Sequence, residues 1–188
     1  VTIKVSAIEK VILFGDSLMA GYGLPNEQHL SVVLQNNLSL DGHNIEIING
    51  SVSGSTSAGG LNIVEWTLSE PSIDLMILCL GANDMLRGIN PKETKNNLEK
   101  IIKIAKSKNI KVIIAGMIAP TSYGFKYKKS FDTIFSELSK KYKLQLIPFL
   151  LEGVAQKPEF NLSDGMHPND QGTIIIGNTL KKAILENL

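Results

Sequence analysis

The chain has 188 residues, 43% hydrophobic and 20% charged, with a net charge of +1 and one cysteine, Cys79. This is apolar material for one sizeable core, without the charge field that would argue for a nucleic-acid or membrane-surface partner. An intramolecular disulfide and a thiolate metal cluster are excluded, and no apolar run is long enough for stable membrane insertion.

Short apolar runs alternate with longer amphipathic ones. The first predicted strand, Lys10–Phe14, runs into Gly15-Asp16-Ser17-Leu18, with further glycines at Gly21 and Gly23. Such a turn suits a phosphate-cradling loop, a serine nucleophile, or ordinary turn chemistry. A helix is expected over about Gln28–Leu40, opened by an exposed His29. His43 falls in "DGHN", a turn signature. The second strand, Ile45–Asn49, leads into "NGSVSGSTSAGG" and a helix over about Ala58–Leu68, where Trp66 reads as packing.

The third strand, Leu75–Leu80, carries Cys79 as a core residue and ends in "GANDM". Pro91 begins a helix whose Leu98, Ile101, Ile102 and Ala105 recur at i, i+3, i+4 and i+7, one helical face. The fourth strand, Lys111–Met117, is followed by "IAPTSYG" and a helix over Lys126–Lys141. The lysine clusters at 126, 128, 129 and at 140, 141, 143 read as a solvated helix face and its end. A fifth strand, Leu144–Pro148, leads through a longer loop to "SDGMHPND" and a last helix, Asn169–Leu188.

Runs such as "LMILCL" are apolar at almost every position, as in strands covered on both faces. With the βα alternation, this predicts a doubly wound α/β domain with a parallel sheet. No repeat, low-complexity tract or linker divides the chain, so residues 1–188 are expected to form one domain. Ligands in open parallel sheets sit outside the carboxyl ends of the strands. The glycine-rich and polar segments after each strand are therefore expected to meet at one edge.

Those segments hold a complete set of parts for acyl transfer. His167 follows Asp164 by three residues. A turn of that length lets the carboxylate accept from the imidazole Nδ1–H and orient Nε2 as a base. Ser17 is the serine that most clearly follows a strand end, and a neutral His167 can take its proton during attack on a carbonyl. No G-x-S-x-G elbow occurs. Oxyanion donors are available in the Ser17 N–H, the Gly54 N–H, which is presented at close range for want of a Cβ, and the Asn83 side-chain amide. Taken singly, Gly54 also suits turn punctuation and Asn83 a helix N-cap or Asx-turn. Asp16 reads as holding the Ser17 loop, and Asp84 as structural. Met85, Leu86 and Ile89, with Met117, Ile118, Tyr123 and Phe125, are candidates for an acyl groove.

"FGDSL" with Ser17, "SGST" with Gly54, "GAND" with Asn83 and "DGMHPN" with Asp164 and His167 stand in the order and spacing of the four blocks of the SGNH, or GDSL-type, hydrolases. The resemblance covers nearly the whole chain. It is nearest to the bacterial arylesterase, thioesterase I and lysophospholipase L1 branch, through "GDSLMAGYGLP" and "GANDMLRG". It implies a flavodoxin-like α/β/α sandwich with five parallel strands, and neither cofactor nor metal. It implies Ser17 as nucleophile, His167 as general base oriented by Asp164, and Ser17, Gly54 and Asn83 as the oxyanion hole. The expected substrates are short- to medium-chain acyl or aryl esters, with thioesters and lysophospholipids also open.

An acyltransferase using the same acyl-enzyme is an alternative. A non-catalytic flavodoxin-like binder is less favoured, because no Lys or Arg lies in "GDSLMAGYG". Family likeness and the start at Val1 point to export, to the periplasm or beyond, with a cytoplasmic location also open. The "AGYGLP" segment has no assignable role at this level, and oligomeric state is not legible.

Overall fold

The computed structural model describes residues 8–188. Five parallel strands form one sheet in the order β2-β1-β3-β4-β5. They are β1 (Lys10–Gly15), β2 (Glu46–Asn49), β3 (Leu75–Cys79), β4 (Lys111–Ala115) and β5 (Gln145–Ile147). Val11 of β1 pairs with Ile47 of β2 on one side and with Leu75 of β3 on the other. This is the flavodoxin-like order, and the sequence reading of a doubly wound parallel sheet holds. Each strand lies within two residues of its expected bounds.

The helices are α1 (Ser17–Ala20), α2 (Leu30–Leu40), α3 (Ser57–Thr67), α4 (Ala82–Leu86), α5 (Pro91–Ser107), α6 (Phe125–Tyr142) and α7 (Asp170–Leu185). Helix α2 packs on α7, while α5 packs on both α3 and α6. Right-handed crossovers place these two groups on opposite faces of the sheet. The short α1 and α4 are absent from the sequence reading, because one turn of helix carries no periodicity to detect.

The central strands explain their own composition. Every residue of β3 is buried, as is all of β1 after Lys10. A strand covered by helices on both faces has no solvent side on which a polar residue is favoured. Cys79 sits in this core, and burial pushes its thiol up. Helix α5 buries Leu98, Ile101, Ile102 and Ala105, as the periodicity predicts, and starts at Pro91 behind Asn90, whose side chain accepts the Lys92 N–H. Two expectations fail. Trp66 is 80% exposed and packs on no core. His29 is half-buried and not exposed, because its Nε2 lies 3.0 Å from the Leu24 carbonyl oxygen.

The strand order reverses direction between β1 and β3, which makes a crevice at their carboxyl ends. Ser17 follows β1 and Asn83 follows β3, so both stand at this point. Among the described residues, no helix is long and apolar enough to cross a membrane.

Candidate active site

At the end of β1 the chain turns directly into α1. Asp16 caps that helix, its Oδ1 accepting the Leu18 N–H at 3.0 Å. Asp16 is only 1% exposed, and its Oδ2 has no hydrogen-bond partner among the described residues. Burial pushes its carboxyl up to about 6, against the opposing effects of the Leu18 N–H and of His167. Ser17 is the first residue of α1, so its N–H is one of the first-turn donors that no helical carbonyl satisfies.

The loop before α7 is closed at its base. Asn161 and Pro168 form an antiparallel bridge. The Leu162 N–H donates to the His167 carbonyl at 2.7 Å, and the Asn169 N–H to the Phe160 carbonyl at 3.0 Å. The buried Asn161 anchors this base, its Nδ2 donating to the carbonyls of Val154 and Lys157, both at 2.8 Å. Within the loop, Asp164 Oδ1 accepts the N–H groups of Met166 at 2.9 Å and His167 at 3.0 Å, and Oδ2 lies 2.6 Å from His167 Nδ1. The backbone N–H of His167, then that of Met166, then the imidazole pull the Asp164 carboxyl down to about 2. Asp164 is therefore ionised near neutral pH and accepts from Nδ1–H. That leaves Nε2 as an acceptor, 3.0 Å from Ser17 Oγ.

The loop after β2 lies along the end of β1. The Val52 N–H donates to the Gly15 carbonyl and the Ser51 hydroxyl to the Leu13 carbonyl, both at 3.0 Å. Gly54 follows at φ +80, and a Cβ there would meet nothing within 4 Å. What the glycine supplies is a left-handed backbone that other residues rarely adopt, not the close approach expected from its missing side chain. Its N–H has no acceptor among the described residues. Asn83 lies inside α4 and is neither an N-cap nor an Asx-turn. Its Nδ2 donates to the Ser55 carbonyl at 3.0 Å, which uses one of its two amide hydrogens. Arg87 adds a bond from Nη2 to the Gly54 carbonyl at 3.3 Å.

The surroundings of Asp84 agree with its reading as structural, whereas the contact made by Tyr22 went unrecognised in the sequence. Asp84 is fully buried and joins three elements, accepting from the Ser57 N–H at 2.7 Å, the Ser57 hydroxyl at 2.5 Å and the Thr94 hydroxyl at 3.1 Å. Tyr22 lies against His167, with ring centroids 4.3 Å apart. Its signal was an aromatic between two glycines in "AGYG".

The candidate acyl residues divide. Met85 and Met117 are 7% and 6% exposed and belong to the core, so they support the loops from beneath and do not line an open groove. Leu86, Ile118 and Phe125 are exposed, while Ile89 and Tyr123 are half-buried. A groove of about 770 Å³ lies beside the start of α5 and the face of α6, lined by Gly88, Asn90, Tyr123, Lys126, Tyr127 and Ile134 among others. Of the candidate acyl residues only Tyr123 lines it. Among the described residues, no cluster of three His, Cys, Asp or Glu side chains is arranged to hold a metal.

Comparison with known proteins gives the family of the chain. The arylesterase of Vibrio mimicus is 36% identical over 97% of this chain and 91% of its own length. The thioesterase 1/protease 1/lysophospholipase L1 of Escherichia coli is 30% identical over 97% of this chain and 86% of its own. The solved structure of TesA superposes with a TM-score of 0.90 at 31% identity, covering 96% of this chain and 100% of that one. A family model matches residues 13–173, a span that runs from the end of β1 into α7 and includes both Ser17 and His167; the chain belongs to the GDSL-like lipase/acylhydrolase family.

Proposed function

We propose that residues 1–188 form a single hydrolase domain that cleaves short- to medium-chain acyl or aryl esters through an acyl-enzyme on Ser17. The class, a carboxylic ester hydrolase, follows from the family and from relatives named arylesterase and esterase. The observation that carries the assignment of residues is the 3.0 Å approach of His167 Nε2 to Ser17 Oγ across 150 positions of sequence.

In this reading Ser17 Oγ attacks the acyl carbonyl carbon while its proton passes to His167 Nε2. The carbonyl oxygen, now an oxyanion, accepts from the N–H groups of Ser17 and Gly54 and from the second amide hydrogen of Asn83. The imidazolium is stabilised by the ionised Asp164 and returns its proton to the leaving oxygen, so that the alcohol departs and the acyl-enzyme remains. Water then attacks the acyl carbon while its proton passes to His167, which hands that proton to Ser17 Oγ as the bond to the acyl carbon breaks, releasing the acid and restoring both side chains. The exposed Leu86, Ile118 and Phe125, with Ile89 and Tyr123, are the apolar surface on which the acyl chain rests. Thioesters and lysophospholipids fit the same chemistry, supported by the name of the Escherichia coli relative. An exported enzyme, periplasmic or secreted, is part of the proposal on family likeness, and cell fractionation tests it.

The deciding experiment is hydrolysis of a p-nitrophenyl ester panel by the wild type beside Ser17→Ala. The variant is expected to stay folded and to lose several orders of magnitude in kcat. Retained turnover overturns the mechanism.

A further inference from the structure

The "AGYGLP" segment gains a physical role from its surroundings. Tyr22 is 52% exposed, yet its ring is not free: it lies 4.3 Å from the imidazole of His167, tilted by 37°. The turn that presents it is held on both sides. Gly21 has φ +92, and a Cβ there would come within 2.4 Å of the His29 ring. Gly23 has φ +75, and a Cβ there would come within 2.7 Å of Leu162 Cδ1. Leu162 in turn bonds the His167 carbonyl through its N–H. The turn is therefore wedged between His29 and the base of the loop that carries His167.

Among the described residues, the hydrogen bonds to the His167 ring come from Asp164 and Ser17. Asp164 holds Nδ1 from the same loop, while Ser17 and the buried Asp16 approach from the β1–α1 turn. Hydrogen bonds at the two nitrogens do not by themselves fix an imidazole against rotation about the line between them. An aromatic ring packed against the imidazole opposes that rotation. A π face near an imidazole also favours its cationic form, because the ring quadrupole attracts positive charge.

We propose that Tyr22 is a positioning residue for His167, its ring keeping Nε2 aimed at Ser17 and stabilising the imidazolium that forms when the serine proton is transferred. The proposal rests on the reading of His167 as the general base. It predicts that the aromatic ring acts and that the phenolic hydroxyl does not.

The test compares Tyr22→Phe and Tyr22→Leu with the wild type in p-nitrophenyl ester kinetics across pH. A side-chain ¹⁵N NMR titration of His167 runs in parallel, and thermal unfolding reports the fold. Tyr22→Phe is expected to match the wild type within about twofold. Tyr22→Leu is expected to lower kcat about two- to fivefold with KM little changed, and to move both the kinetic and the NMR midpoint down by about half a unit. Unchanged midpoints in Tyr22→Leu, even with a lower rate, overturn the proposal, as does a Tyr22→Phe variant that loses as much as Tyr22→Leu. Full activity in His167→Ala overturns the general-base reading instead. The two failures are separable because the NMR midpoint reports the ring contact whether or not His167 takes a proton in catalysis.

Discussion

Ser57 and Asp84 are bound twice, the Ser57 N–H to Oδ2 at 2.7 Å and the Ser57 hydroxyl to Oδ1 at 2.5 Å, inside a fully buried site. Thr94 adds a third bond to the same carboxylate, and Asn97 Nδ2 donates to Ser57 Oγ at 3.0 Å. The start of α3, the short α4 and the first turns of α5 are thus joined through one side chain. Asn83 is its chain neighbour, and Gly54 lies three residues before Ser57. Asp84→Ala leaves buried donors without an acceptor, and each such loss costs about 1–3 kcal/mol. We expect a loss of roughly 2–4 kcal/mol in denaturant unfolding, with kcat lowered because Asn83 and Gly54 are no longer held in register. A variant that unfolds at the wild-type denaturant midpoint contradicts this account.

Asn83 presents a sharper case, since its Nδ2 already donates to the Ser55 carbonyl at 3.0 Å. If the remaining amide hydrogen serves the oxyanion, Asn83→Ala lowers kcat by about 10²–10³, the usual effect of removing one such donor. KM is expected to change little, because the interaction strengthens only as charge develops on the oxygen. A loss below about threefold would assign the side chain to holding Ser55 alone.

Asp164 accepts three hydrogen bonds, two from backbone N–H groups and one from the imidazole. Asp164→Asn keeps the size of the side chain. Its amide can turn an NH₂ toward Nδ1, which then acts as acceptor and places the proton on Nε2, the wrong tautomer for a base. We expect kcat to fall by about two to four orders of magnitude, with the fold retained. Ester hydrolysis beside a thermal melt measures both, and activity within tenfold of the wild type would show that tautomer control does not matter here.

The sheet and its long helices were legible because burial on both faces writes itself into "LMILCL" and because α5 repeats Leu98, Ile101, Ile102 and Ala105 on one face. Ser17, Asp164 and His167 were legible as candidates because each sits next to a strand end or helix start. Partners that depend on loop path were hidden. Tyr22 meets His167 only because the turn through Gly21 and Gly23 takes two left-handed residues, and Leu162 packs there from far along the chain. Met85 and Met117 misled for a related reason: an apolar residue just past a strand end can face the groove or the core, and periodicity is silent once the strand has stopped. Gly54 stood out in the sequence for steric access, whereas what calls for a glycine there is its backbone angle.

The buried Asp16 makes a prediction about pH that separates it from the other carboxylates. Its folded value, raised to about 6 from an ordinary 3.8, means that between those values the folded chain holds a proton that the unfolded chain has released. Stability from this group is therefore full below about pH 4, falls as pH rises through 6, and is level above. The span corresponds to about 3 kcal/mol. Asp16→Asn keeps an Oδ1 acceptor for the Leu18 N–H but cannot ionise, so it removes this slope while adding a constant offset from its buried amide. Unfolding free energies of the two proteins between pH 4 and pH 8 are expected to diverge, the variant gaining on the wild type as pH rises to about 7 and running parallel beyond. Asp164, pulled down to about 2, drops out of the difference because it is present in both proteins. Curves that stay parallel from pH 4 to pH 8 would mean that Asp16 Oδ2 is not the unpaired buried oxygen that the structure describes.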